Sequence, residues 1–89
     1  MPGSFQILSA SPNPFNPETT LRFSIIEEGN ASLKIYDIQG REVTSLLQSE
    51  MSPGIYEADW RADDFSSGLY FAVLTTSSGS QTKKLMLLK

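Results

Sequence analysis

The sequence predicts an all-β domain, an immunoglobulin-like antiparallel β-sandwich of about seven strands. Three observations predict it. Hydrophobic residues alternate with polar ones in several short segments, and turn-forming residues separate those segments at roughly ten-residue intervals. The chain has 89 residues and a mass of 9.8 kDa. Surface scaling then gives a folded area of roughly 5,200 Å², which suits a single core. An open meander is disfavoured because it would leave an apolar face uncovered.

The first three predicted strands lie in the N-terminal half, beginning with residues 5–9. In the second and third strands apolar and polar side chains alternate, so that each strand has one buried and one exposed face. The predicted buried faces are Thr19, Leu21, Phe23 and Ile25 in the second strand, and Ala31, Leu33 and Ile35 in the third.

Residues 41–51 are ambiguous. Val43, Leu46 and Leu47 have the spacing of one helix face, but Thr44 and Ser45 are weak helix formers and no clear cap precedes the segment. We predict a strand here, with a helix as the alternative.

Three further strands are predicted in the C-terminal half. Residues 54–60 alternate, with Tyr56, Ala58 and Trp60 on the buried face. Residues 68–74 are almost continuously apolar, which predicts a central strand covered on both sides. Residues 81–88 form the predicted last strand.

The ends of the chain define the predicted domain. Residues 1–4 are typical of a start methionine followed by a cloning remnant, so the domain is expected to span residues 5–89. No apolar run approaches the ~18 residues of a membrane span, and no signal peptide is recognisable. The chain is therefore expected to be either cytosolic or a piece of a longer exported protein.

The composition excludes several functions. His and Cys are absent, which removes thiol nucleophiles, histidine bases, the usual zinc sites and disulfides. The net charge of −3 gives no support to nucleic-acid binding. Asp59, Asp63 and Asp64 supply oxygen ligands of the kind Ca²⁺ takes, but without EF-hand spacing. We therefore predict no cofactor or metal, and a domain that is not an enzyme.

A stiff loop is predicted where three prolines fall within six residues. Pro12, Pro14 and Pro17 lack backbone donors and favour extended geometry in the residues before them. We expect this loop to carry the first strand from one sheet to the other, with Phe15 inserted in the core. Asn13 belongs to the same rigid loop. The alternative is a binding loop for an extended, polyproline-type ligand.

A short repeat, Gly54-Ile55-Tyr56 and Gly68-Leu69-Tyr70, opens two of the predicted strands. We expect both tyrosine rings to cap the core, with their hydroxyl groups hydrogen-bonded near its rim. The alternative is an aromatic strip with Trp60 that stacks on sugar rings, which requires all three rings to be exposed on one surface.

The charge of the chain is uneven. Residues 1–82 carry a net charge of −6, whereas Lys83, Lys84 and Lys89 give the last seven residues a charge of +3. Lysines on an edge strand deter aggregation, and such an asymmetry is also typical of a feature that a partner recognises.

Taken together, these motifs resemble the C-terminal sorting domain of the type IX secretion pathway, in its type A form. The matching segments occur in the family's order and cover nearly all of the chain after residue 4. The chain is also similar to the immunoglobulin-like domain of flagellar hook-capping proteins. The segments that carry the resemblance are residues 12–17, 35–43, Trp60, 67–71 and 82–89.

The resemblance implies a non-catalytic signal at the end of a larger exported protein of a Bacteroidota-like Gram-negative bacterium. It implies an N-terminal cargo domain, passage through the periplasm, recognition by the outer-membrane secretion machinery and removal by a sortase-like surface protease. The cargo would be secreted or held at the cell surface. We expect a monomer with no membrane span. The alternative function is a carbohydrate-binding or adhesive module of a secreted enzyme.

Within that function the residues suggest a recognition site at the end of the chain. Lys83, Lys84 and Lys89 are the expected contacts with acidic groups of a receptor, which would also pair with the open backbone edge of the last strand. Gly68 and Tyr70 are expected to shape the neighbouring strand, and the proline loop to supply rigidity.

Overall fold

The computed structural model describes residues 5–14, 16–77 and 79–88, which contain seven β-strands and no helix. Among these residues there is accordingly no helix capable of crossing a membrane. The predictions for residues 1–4, Phe15 and Lys89 concern positions outside the described residues. The strands are β1 (Phe5–Ser11), β2 (Glu18–Ile25), β3 (Gly29–Asp37), β4 (Glu42–Met51), β5 (Gly54–Arg61), β6 (Gly68–Thr76) and β7 (Gly79–Leu87).

The strands form two antiparallel sheets. One has the order β1-β2-β5 and the other the order β4-β3-β6-β7. The chain changes sheets three times, between β2 and β3, between β4 and β5, and between β5 and β6. This arrangement confirms the predicted all-β fold and is that of an immunoglobulin-like sandwich.

The core lies between the sheets, and the predicted buried faces of β2 and β3 are confirmed. Burial of each Leu, Ile or Phe side chain contributes roughly 1.5–3 kcal/mol. The accessible surface of 5125 Å² agrees with the area expected for one core of this mass. The buried residues are Thr19, Leu21, Phe23, Ile25, Ala31, Leu33, Ile35, Trp60, Ala62, Tyr70, Ala72, Leu74, Leu85 and Leu87.

β6 lies inside its sheet, between β3 and β7, as expected for a central strand. The prediction that it is covered on both sides is wrong. Tyr70, Ala72 and Leu74 are buried, whereas Leu69 and Phe71 between them are only half-buried. A two-layered sandwich covers each sheet on one face alone, so a continuous apolar run must place alternate side chains on the outer face.

Residues 42–51 form a strand, as predicted, and its register explains the helix-like spacing of its apolar residues. Leu33 is opposite Leu47 while Lys34 is opposite Ser45, so β4 contains one additional residue there. A second shift of the same kind occurs between Ile35 and Tyr36 of β3. Each additional residue resets the period of two and produces an apparent spacing of three to four.

The proline loop does not carry the chain from one sheet to the other, and that prediction is wrong. β1 and β2 are antiparallel neighbours in the three-stranded sheet, with Ser11 opposite Thr20. Because its prolines cannot donate to a ladder, the segment is left out of the sheet as a wide hairpin loop. The buried hydroxyl of Thr19 donates a 2.7 Å hydrogen bond to the Pro12 carbonyl and fixes the loop to β2.

Candidate recognition site on the last strand

β7 is the edge strand of the four-stranded sheet, and β6 is its one partner within the described residues. Leu85 and Leu87 point into the core and are fully buried, whereas Lys84 is exposed on the outer face. The inward leucines hold the strand on the sandwich, so its outward side chains project from a fixed backbone.

The structure separates two of the three lysines that the sequence placed in one basic cluster. Lys83 is opposite Ala72, a core residue, and is half-buried, whereas Lys84 is opposite the outward Phe71. Successive side chains of a strand point to opposite faces, so a single flat partner cannot contact both ammonium groups equally. No ion pair joins either lysine to an acid among the described residues.

The free edge of β7 is closed where the sequence predicted it to be open. The Asn13 side-chain amide donates to the Lys84 carbonyl at 3.0 Å and accepts from the Met86 amide at 3.0 Å. Asn13 thus occupies the two groups that a pairing strand would use, and the expectation of an open backbone edge is wrong at this point. The sequence located Asn13 in the rigid loop but held no signal for a partner 71 residues away.

A second side-chain amide bridges the same side of the sandwich. The Ile7 amide donates to Gln81 Oε1 at 3.1 Å and so joins β1 to β7. The two sheets are therefore tied at this margin by side chains, while β4 and β5 at the opposite margin follow one another directly in the chain.

Both tyrosines of the repeat cap the core, as predicted. The Tyr70 hydroxyl donates to the Ser66 carbonyl at 2.7 Å, and the Tyr56 hydroxyl donates to the Ser52 carbonyl at 2.6 Å. Each bond reaches back four residues, in the manner of the tyrosine corner of immunoglobulin-like domains. Gly68, which precedes Tyr70 by two positions, has φ +147°, a conformation that residues with a Cβ rarely adopt.

The aromatic strip required for sugar stacking is not formed. Trp60 is 3% exposed, and its ring meets that of Tyr70 edge to face at 5.3 Å between centroids. Tyr70 itself is 7% exposed. These rings have no free face on a common surface, so the carbohydrate-binding alternative is not favoured.

The β3–β4 turn is organised by one carboxylate that the sequence analysis did not single out. Asp37 accepts hydrogen bonds from the amides of Gln39 at 2.9 Å and Arg41 at 3.0 Å, and from the Arg41 guanidinium at 3.2 Å. The Arg41 amide, followed by the Gln39 amide and the Arg41 charge, lowers the pKa of the Asp37 carboxyl. Gly40, at φ +83°, closes the turn. An Asp three residues before a Gly was the available signal.

This turn displays a hydrophobic side chain. Ile38 is 71% exposed, the highest value among the exposed large hydrophobic residues of the described chain. Turn positions favour polar residues and glycine, so an exposed isoleucine at this position is unusual.

The described part of the chain shows no arrangement of side chains that is typical of a catalytic site. No group of three or more acidic side chains is placed to hold a metal ion. An open groove of about 250 Å³ at the Asn30 end of the four-stranded sheet is lined only by uncharged residues, among them Gln48 and Thr75. It offers neither an acid nor a base for catalysis.

Comparisons with known proteins agree with the fold and the motifs. The model of one protein family, described as secretion system C-terminal sorting domain, matches residues 9–88. No curated protein matches the chain.

Two solved structures from Porphyromonas gingivalis are similar. Dimeric latent PorU matches with a TM-score of 0.70 and 22% identity, over 94% of this chain and 9% of its own. PorZ, described as an essential bacterial surface component of the type IX secretion system, matches with a TM-score of 0.62 and 26% identity, over 91% of this chain and 11% of its own. This chain corresponds to a small part of each, and the likeness to PorU is one of fold.

Proposed function

The chain belongs to the family of secretion system C-terminal sorting domains, and on that premise we propose that β7 carries the surface by which it is recognised for export. Domains of this family are the sorting signals of the type IX pathway. The match over residues 9–88, which includes every strand from β2 to β7, is the observation that carries the function.

The proposed signal is non-catalytic and acts at the end of a larger protein. Its cargo lies N-terminal to the domain, enters the periplasm, and is passed across the outer membrane to the cell surface or the medium. A sortase-like surface protease then removes the domain. The small folded body supports this role, because a receptor that reads a folded tag needs a stable surface rather than a reactive site.

The proposed contacts are the ammonium groups of Lys83, Lys84 and Lys89, with Lys84 foremost. Lys84 is exposed on the outer face of an edge strand, a position that a receptor carboxylate reaches without unfolding the sheet. Because Asn13 occupies the adjacent backbone groups, contact is made through side chains there rather than by strand addition.

Gly68 and Tyr70 are proposed as positioning residues. They begin β6, the only strand of the described residues that pairs with β7, and Gly68 is directly opposite Leu87. Pro12, Pro14 and Pro17 restrict the loop that presents Asn13 to the other side of β7. β7 is therefore held from both sides while its outer face stays accessible.

The proposal is tested with a reporter that carries a signal peptide at its N-terminus and this chain at its C-terminus, in a bacterium with a type IX pathway. The parent fusion is expected in the medium or at the cell surface, and a fusion without the chain in the periplasm. Replacement of Lys84 and Lys89 by Ala is expected to trap the reporter in the periplasm without unfolding the domain.

Arg22→Ala is the matched control, because Arg22 is an exposed cation on the other sheet. It should leave export unchanged. Lys83→Ala alone should have the smaller effect of the lysine substitutions, because Lys83 projects from the opposite face. Export of the lysine variant at the parent level would remove the basic end as the recognition element, and retention of the parent fusion itself would contradict the function.

A further inference from the structure

The outer faces of the two sheets differ in how their charges are compensated. On the three-stranded sheet, opposite charges face each other across β2 and β5: Glu18 lies 3.4 Å from Arg61, and Arg22 is opposite Glu57. The Thr20 hydroxyl likewise donates to Asp59 at 2.7 Å. That face therefore pairs several of its own polar groups. Two isoleucines, Ile26 and Ile55, are exposed where β2 ends and β5 begins.

The outer face of the four-stranded sheet carries apolar side chains at one end. Tyr36 and Phe71 are cross-strand partners there, and Leu69 and Met86 are partners in the row beside them. These four are half-buried, whereas Ile38 and Leu88 at the same end are 71% and 51% exposed. We call this set the outer patch; it comprises Tyr36, Ile38, Leu69, Phe71, Met86 and Leu88.

A cation without a counter-charge borders the outer patch. One row across the sheet runs from Glu42 through Tyr36 and Phe71 to Lys84. Three strand spacings separate its ends by roughly 14 Å, beyond the screening length of about 8–10 Å. Glu42 is already held by Lys34 at 3.6 Å, and in the described ranges no carboxylate lies within ion-pair distance of Lys84.

The most exposed member of the outer patch sits on a fixed backbone. Asp37 and Gly40 hold the turn around Ile38 through hydrogen bonds to the Gln39 and Arg41 amides. A side chain displayed on an ordered turn loses little conformational entropy on binding. Ile38 is moreover part of a contiguous apolar surface, the feature that marks protein interaction sites, rather than a single exposed hydrophobic residue.

We propose that the outer patch docks a protein surface that places a carboxylate beside aliphatic or aromatic side chains. The carboxylate pairs with Lys84, and the apolar groups cover Ile38 and Leu88. This inference rests on the proposed function, since the partner is the component of the export apparatus that reads the domain.

Two other occupants fit the charges less well. Anionic membranes attract clusters of four to eight cations, whereas this chain has a net charge of −3 and, among the described residues, one uncompensated lysine at the patch. A second copy of the chain would meet the first through a two-fold contact of the outer patch with itself, and the six residues of the outer patch include no carboxylate to pair with Lys84. A protein partner with an acidic group answers both objections.

The test uses the exported reporter and two double variants that remove similar amounts of exposed apolar surface. Ile38→Ser with Leu88→Ser alters the outer patch. Ile26→Ser with Ile55→Ser is the matched control, because these two side chains are each 59% exposed but follow or belong to strands of the other sheet. We expect the first pair to reduce the exported fraction about tenfold, as for loss of an interface anchor, and the control pair to leave it unchanged.

A charge series at Lys84 tests the acidic group of the partner. Lys84→Arg keeps the cation and is expected to keep export, whereas Lys84→Glu is expected to lose it at least as completely as the outer-patch pair. Melting temperatures of the purified variants should stay at the parent value because all three sites are exposed. If the melting temperature of the Ile38 and Leu88 double variant falls below that of the parent, the single variant Ile38→Ser is used in its place.

The outcomes separate the inference from the function. If the parent fusion is exported and the outer-patch variants are exported equally well, the inference is wrong and the function stands. If the parent fusion stays in the periplasm, the function fails first. The inference is also overturned if light scattering shows that the purified parent chain is a dimer and that the double variant Ile38→Ser with Leu88→Ser is a monomer. If the parent sediments with phosphatidylglycerol vesicles and the Ile38 and Leu88 double variant does not, the partner is a membrane surface and the inference of a protein partner is overturned.

Discussion

Two segments of the chain share one motif, and comparing them shows what the motif specifies. Residues 52–56 and 66–70 each place a tyrosine four residues after a serine whose carbonyl it binds, and a glycine two residues before it. Each segment follows a change of sheet, from β4 to β5 and from β5 to β6. The hydroxyl group fixes the incoming strand to the connection that leads into it.

The surroundings of the two tyrosine rings differ. Tyr56 stacks on Phe23 with 5.8 Å between centroids, and both residues belong to the three-stranded sheet. Tyr70 meets Trp60 of the opposite sheet at 5.3 Å and Phe65 of the connecting loop at 6.2 Å. The first ring supports its own sheet, whereas the second joins the two layers. Local sequence specifies the hydrogen bond, and the topology specifies what the ring stabilises.

The largest expected effect comes from truncating the two rings. Tyr70→Ala removes a buried aromatic that bridges the sheets and should lower the free energy of unfolding by roughly 3–5 kcal/mol. Tyr56→Ala removes a half-buried ring and should cost roughly 1–2 kcal/mol. Urea unfolding followed by Trp60 fluorescence measures both.

The Tyr→Phe variants separate the ring from its hydroxyl group. Tyr70→Phe and Tyr56→Phe should each lose about 1 kcal/mol or less, the usual contribution of one hydrogen bond. Equal losses for the two alanine variants would contradict the difference between an intersheet and an intrasheet ring.

Alanine at the two glycines of the motif gives the next effect. At Gly68 an added Cβ meets no atom within 4 Å, so the cost is the backbone strain at φ +147°, roughly 1–3 kcal/mol. At Gly54 φ is +158°, nearer to extended geometry, and the added Cβ lies 3.5 Å from the Tyr56 ring, an ordinary contact. We expect the smaller loss at Gly54. Thermal unfolding of the two variants checks the order, and a larger loss at Gly54 would show that packing against the ring outweighs backbone strain.

The parts of the fold that follow from local pattern could be predicted from the sequence. The alternation in β2 and β3 and the capping tyrosines depend on neighbours two to four residues apart, and the structure confirms them. The helix-like spacing in residues 42–51, by contrast, has a non-local cause, because the two register shifts of β4 appear only opposite its partner strand.

What could not be predicted depends on contacts between distant residues. The sequence indicates a rigid segment at residues 12–17 but not that its strands are neighbours, nor that Asn13 reaches β7. Nor does the apolar run of β6 reveal that one of its faces is left uncovered by the second sheet. The separation of Lys83 from Lys84 does follow from the sequence, because successive side chains of a strand alternate between its faces. It could be predicted once the inward residues of the strand were known.

A smaller effect is expected from the support of β7 on the side away from Tyr70. Asn13→Ala removes the two bonds to Lys84 and Met86 and should cost about 0.5–1 kcal/mol, because both are solvent-exposed. Hydrogen exchange of the Met86 amide should accelerate while the amides between β6 and β7 stay protected. Asn16→Ala, an exposed substitution in the same loop, should change neither. Unaltered exchange at Met86 in the Asn13 variant would contradict the clamp.

The smallest effect is expected at the β3–β4 hairpin, which stays within one sheet and is held by Asp37 instead of a tyrosine. Because the pKa of this carboxyl is lowered from its ordinary value of 3.8, its ionised form stabilises the folded state. That contribution is complete above pH 3.8 and is lost as the pH falls through the lowered value. The melting temperature of the parent should therefore exceed that of Asp37→Asn at pH 6, and the two should converge as the pH falls below 3.8.

Arg41 separates the two sources of this stabilisation. The largest is the hydrogen bond from the Arg41 backbone amide, which Arg41→Ala retains, while the guanidinium contributes less. Arg41→Ala should consequently keep most of the pH-dependent difference that Asp37→Asn abolishes. If Arg41→Ala instead abolished the pH-dependent difference, the turn would be held chiefly by the exposed Arg41–Asp37 ion pair, and salt should then weaken it. Ile38 would in that case be displayed on a less rigid support.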